Sequence, residues 1–138
     1  LYSHYTHLTF ALSGDDDKEA VSAAKGILAS FPKIDINGFS AEQKKEYAEL
    51  ESSIKEHAQH IADNAGNIDH QREHLDLMSA DFYDLLKDFG TPKPVYKVFC
   101  PMYNDNKGAF WLSDSREVKN PYLGKEMLSC GEVQEEIK

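Results

Sequence analysis

Apolar side chains recur at steps of three and four along two long stretches of this chain, with a short polar break between them. Tyr47, Leu50, Ile54, Ala58, Ile61 and Ala65 form the first stripe, and Ile68, Gln71, Leu75, Met78, Phe82, Leu85 and Phe89 continue the second. Such steps place side chains on one face of an α-helix, where they can be buried together. The punctuation agrees. Ser40-Ala41-Glu42-Gln43 is a capping box, Gly66-Asn67 interrupts the pattern, and Gly90 with Pro92 stops it. Two more stripes precede these: Tyr2, Tyr5, Leu8, Thr9 and Leu12, then Ala20, Val21, Ala24, Ile27, Leu28 and Phe31. The run SGDDD separates them, Asp16 with Glu19 makes a second capping box, and Pro32 ends the helix. The spacing predicts helices over 1–12, 16–31, 40–65 and 68–89. Four amphipathic helices with short connections favour an all-α fold, an antiparallel four-helix bundle over 1–90.

Residues 91–138 differ in kind. PVYKVFC (94–100) is rich in β-formers, and CGEVQEEI (130–137) alternates. These predict two strands able to pair as a ribbon, joined by a long irregular loop with one helical turn near Ser113–Val118. A chain of 138 residues, 41% of them apolar, is expected to be a single domain with this tail packed on the bundle. A net charge of −9 argues against a nucleic-acid partner. No apolar run approaches the ~20 residues of a transmembrane helix. The chain begins at Leu1 rather than Met, as a processed or trimmed form would.

The chain has only two cysteines and three methionines, and four of these five sulfurs fall in two short patches. Cys100 and Met102 lie in CPMYNDNKGAFWL, and Met127 and Cys130 lie in MLSCGEV. If the strands pair antiparallel, Cys100 ends one where Cys130 begins the other, and the sulfurs converge. Thiolate and thioether together select soft ions, Cu(I) or Ag(I) before Zn(II). The alternative is a Cys100–Cys130 disulfide with the methionines packing on aromatics. His70 and His74, four apart on one helix face, are chelating candidates. Leu77 shares that face, so a tail lying over it would carry the histidines toward the sulfurs. His57 flanks its core stripe and reads as packed, and His60 reads as pointing outward. No glycine-rich phosphate loop is present, and Pro101 with the methionines suits ligation better than acyl transfer, so no enzyme is expected. Trp111 is expected to anchor the loop, with Phe110 and Tyr122 beside it.

The run VYKVFCPMYNDNKGAFWLSDSREVKNPYLGKEMLSCGEV resembles a family of bacterial exported helical domains with no assigned function. Members occur as stand-alone periplasmic or lipoprotein-like proteins, and related tails are fused to the C-terminus of membrane-fusion subunits of copper/silver efflux pumps. The helical part, including DHQREHLDLMSADFYDLLKDFG, matches more loosely. The resemblance implies a periplasmic or lipid-anchored protein that buffers Cu(I) or Ag(I), or delivers it to an efflux system. Carried over by position, its motif residues are Cys100, Met102, Met127 and Cys130, with His74, and His70 near it, as helix partners. Many relatives have a polar or His residue just before CPM; here it is Phe99. The rival expectation is a non-catalytic envelope interaction module whose tail is pinned by the disulfide.

Overall fold

The computed structural model describes residues 1–91 and 93–137. Pro92, read above as part of the stop after the fourth helix, lies outside the described residues. The protein is mostly helical, with four long helices: α1 (Tyr2–Ser13), α2 (Asp17–Ser30), α3 (Ala41–Ala62) and α4 (Ile68–Phe89). Their starts follow the cap chemistry. The Glu19 amide donates to Asp16 Oδ1 at 3.0 Å, and Ser40 and Gln43 exchange both bonds of the capping box at 3.1 and 2.9 Å. Asn67 caps α4 by accepting from the His70 amide.

Each helix packs on the next in sequence, α1 on α2, α2 on α3 and α3 on α4. The stripes meet in one core, where Tyr5, Leu8, Leu12, Ile27, Ile54, Ile61, Leu75, Met78 and Phe82 are fully buried. Ala20, Ala23 and Ala24 keep α2 thin enough for its neighbours to approach closely. Gly26 extends this economy: a Cβ there would collide with the His4 ring.

Two boundaries differ from the sequence expectation. The third helix ends at Ala62, not at residue 65, because the Asn64 side chain donates to the His60 carbonyl at 2.6 Å and competes with the next turn. The expected turn near Ser113–Val118 is not helical. Ser113 and Ser115 hydroxyls accept from the amides of Ser115 and Glu117, two residues on in each case, which favours bends.

The tail is not a two-stranded ribbon on an all-α protein. It is a small three-stranded antiparallel sheet, order β2-β1-β3, from β1 (Val95–Cys100), β2 (Ala109–Ser113) and β3 (Glu132–Ile137). The missed strand is AFWLS. Its pairing partner is β1, with Val98 opposite Trp111 and Cys100 opposite Ala109. Between them a tight turn at Tyr103–Asn106 puts Asn104, Asp105 and Asn106 at positive φ, where Asn and Asp are tolerated best. Trp111 is buried at 2% exposure, edge-on to Tyr122, whose hydroxyl donates to the Phe110 carbonyl at 2.6 Å.

The sheet docks through β2 on α4. Tyr5, fully buried, accepts from the Leu112 amide at 3.0 Å and bonds Ser79 on α4 at 2.7 Å. Arg72 extends from α4 to the carbonyls of Pro121 (2.7 Å) and Leu12 (2.8 Å) and to Asp15 (2.8 Å). Gly124 lies against that pair at φ +66, where a Cβ would collide with the Asp15 carboxylate. The tail therefore lies along the Arg72, Ser79 and Tyr83 side of α4. Leu77, expected beneath it, is 54% exposed and only borders the turn at Tyr103–Asp105.

Candidate functional site

The sulfur patch forms where the sheet frays. Phe99 is the last β1 residue paired to β3, opposite Glu132, so Cys100 and Cys130 come together just beyond the ladder. Both thiols are free, and the Cys130 thiol lies within hydrogen-bonding reach of Cys100. Cys100 is fully buried and Cys130 half-buried. Burial, then the neighbouring Cys100, push the Cys130 thiol above its ordinary range. A thiol held protonated is a poor nucleophile, but a bound metal ion can displace the proton.

Asn120 builds the loop that delivers Cys130. It is fully buried, and its side-chain amide donates to the Cys130 carbonyl at 2.7 Å. Its Oδ1 accepts from the amides of Tyr122 and Leu123, and its own amide donates to the Leu128 carbonyl. Sequence reasoning passed over it, although Asn followed by Pro and an aromatic is a turn signal. Met127 is bonded into the same loop, its carbonyl accepting from the Cys130 amide at 3.1 Å. Met127 and Cys130 line one concavity with Val118 and Lys125. Met102 and Met127 are exposed by 46% and 40%, and of the two Met127 shares the concavity with Cys130.

His70 and His74 are elsewhere. They face α3, where they meet the two histidines that the sequence reading set aside. His57 Nδ1 lies 2.9 Å from His74 Nδ1, and His74 Nε2 lies 3.2 Å from His70 Nε2. The His60 ring stacks on His74 with centroids 4.4 Å apart. His70 Nδ1 is 3.3 Å from the Glu73 carboxylate. One ligand nitrogen each from His60, His70 and His74 lies within 4.8 Å of the others, and neither cysteine joins that group. Burial, then the imidazoles of His60, His57 and His70, push His74 down to about 4. His57 is thus more than a packed histidine, and the exposed His60 turns along the helix pair rather than away from it. The signal was present in the sequence: the two His pairs are symmetric about the Asp63–Asn67 turn, and an antiparallel helix hairpin brings such positions face to face.

The helical part of the chain, whose third and fourth helices carry these histidines, is also the part with known kin. A family model described as "Protein of unknown function (DUF3347)" matches residues 1–93. This chain belongs to that family. The DUF3347 match takes in α1–α4 and all four clustered histidines and stops before β1, so the thiol pair lies outside it. No curated protein and no solved structure matches the chain. No helix among the described residues is long and apolar enough to cross a membrane.

Proposed function

We propose that this DUF3347 protein binds a soft monovalent ion, Cu(I) or Ag(I), through Cys100 and Cys130, and buffers it or passes it on by ligand exchange. One observation carries the reading: two free thiols lie within hydrogen-bonding reach at the open end of the sheet, and Met127 shares a concavity with Cys130. Thiolate and thioether donors suit Cu(I) and Ag(I), and Met102, two residues beyond Cys100 in sequence, is the further thioether the reading assigns. His70 and His74 group with each other and with His60, so the reading leaves them outside the sulfur site. The four helices serve as scaffold, read as an antiparallel four-helix bundle. A periplasmic or lipid-anchored location, with an efflux membrane-fusion subunit as receiver, belongs to the same proposal and is supported by the tail motif's resemblance.

The same thiol contact favours a second reading, in which Cys100 and Cys130 oxidise to a disulfide that pins the tail of an interaction module. A thiol count on protein isolated without reductant, followed by Cu(I) titration of the reduced protein, separates the two. Two free thiols and one tightly bound Cu(I) support the metal site. No free thiols, and no Cu(I) binding after reduction, leave the module.

A further inference from the structure

We infer that His60, His70 and His74 form a second metal site, on the α3–α4 hairpin, that takes an imidazole-preferring divalent ion, Zn(II) or Cu(II). The site stands apart from the thiol pair and does not depend on the Cu(I) reading.

A tetrahedral ion bound at ~2.0–2.1 Å holds two ligand nitrogens ~3.3 Å apart. His70 Nε2 and His74 Nε2 are 3.2 Å apart, and the His60 nitrogen completes a group within 4.8 Å. His70 and His74, four residues apart on α4, meet edge to face with ring centroids 4.6 Å apart, while His60 comes from α3. An ion ~2.0–2.1 Å from both Nε2 atoms sits off the line joining them, and the His60 ring, now stacked on His74, turns to aim its nitrogen at it.

The contacts outside the three rings point the same way. A ligating histidine usually donates its other N–H to a carboxylate or similar acceptor, which fixes the tautomer and the ring. Both α4 histidines have that partner here. His70 Nδ1 faces the Glu73 carboxylate at 3.3 Å, leaving Nε2 for the ion. His74 Nδ1 faces His57 Nδ1 at 2.9 Å, again leaving Nε2. His57 is thus a positioning residue and not a ligand.

Three imidazoles make up the donor set. Three nitrogen ligands leave a fourth position, and the exposed His60 puts it toward solvent. Such an open site exchanges its ion more readily than a closed four-ligand one. Imidazole suits Zn(II) and Cu(II), and the absence of a thiolate from the group turns it away from the ion proposed for the sulfur pair.

The test uses the full chain carrying Cys100→Ala and Cys130→Ala, so that no thiol can contribute. Co(II) is titrated in as a visible probe, then displaced by Zn(II), with Zn(II) affinity measured against a chromophoric chelator. The expected result is one Co(II) per chain with the intense visible bands of a four-coordinate site, and full displacement by one Zn(II). His60→Ala, a change at an exposed position, should weaken Zn(II) binding by at least ~100-fold with the helical spectrum unchanged. His57→Ala and Glu73→Gln should each weaken it by ~10–100-fold while keeping the Co(II) spectrum, as outer contacts do. No visible Co(II) spectrum in the thiol-free protein, or Zn(II) affinity unchanged by His60→Ala, would overturn the inference.

Discussion

The α3–α4 hairpin and the frayed end of the sheet both gather donor atoms, but by different means. In the hairpin, the helical repeat does the work. His57 with His60, and His70 with His74, are each one turn apart, and the two helices face each other across a short turn. At the sheet end, Cys100 and Cys130 meet because β1 and β3 pair and the Asn120 loop turns the chain back. The first site needs only neighbours in sequence. The second needs a three-stranded sheet and its docking on α4. Exposure differs in parallel: His60 is open to solvent, whereas Cys100 is fully buried. If both groups bind ions, imidazoles with one exposed ring and a thiol pair with one fully buried member would suit different ions.

If the sheet depends on the helices, the largest perturbation should come from the shared core. Phe82 is fully buried against Tyr5, with centroids 4.6 Å apart, and Tyr5 holds the Leu112 amide. Phe82→Ala should cost ~3–5 kcal/mol, the usual range for a large-to-small core change. Circular dichroism of the helices and Trp111 fluorescence should then be lost in one transition. Separate transitions would show that the sheet folds by itself.

A smaller effect should separate the regions. Arg72→Met removes the bonds to Pro121, Leu12 and Asp15 while keeping most of the side-chain volume. It should cost roughly 2–3 kcal/mol, since charged hydrogen bonds are lost and two carbonyls lose a partner. Trp111 emission should shift to the red and become accessible to iodide before the helical signal changes. An unchanged Trp111 would mean that the contacts of Tyr5 and Tyr83 dock the sheet without Arg72.

Ser40→Ala tests the helical half by itself. Losing one side of the capping box should cost ~1 kcal/mol and leave both the Trp111 signal and metal binding unchanged.

The smallest effect is in pH. Arg72 bonded to Asp15 holds that carboxyl below its ordinary range. A depressed folded-state value means that the unfolded chain binds the proton more readily. The contribution is complete above the ordinary carboxylate range and is lost as pH falls toward the folded value. Asp15 is 44% exposed, so solvent screening leaves this on the order of 0.5 kcal/mol. Acid unfolding of wild type and Asp15→Asn should differ at neutral pH and converge in acid. A constant difference across that range would assign the effect to packing.

The two regions also differ in how far the sequence discloses them. Helical stripes and caps depend on residues three or four apart, so Tyr47 to Ile61 and Ile68 to Phe89 could be read directly. The main error at a boundary came from Asn64, whose side chain took a carbonyl that periodicity assigned to the helix. The strand AFWLS could not be recognised alone, because its two-sided burial as a sheet edge on α4 erases alternation: Ala109, Trp111 and Leu112 are all buried. Which side of α4 the tail would cover depended on Arg72, a charged residue that an apolar count ignores. The meeting of Cys100 and Cys130 could be inferred from the ends of two strands. The meeting of His57 with His74 required the hairpin register as well as the spacing within each helix.

The central claim is that the thiol pair is a soft-metal site, and the most direct test is a competition titration of Cu(I) against a chromophoric chelator. It compares fully reduced wild type with the variant carrying Cys100→Ala and Cys130→Ala; alanine avoids placing an unpaired hydroxyl in the buried Cys100 position. The account predicts one tightly held Cu(I) per wild-type chain and a loss of at least ~100-fold in affinity in the variant, with the helical spectrum intact. Equal Cu(I) affinity in the two proteins, or none in reduced wild type, would contradict it.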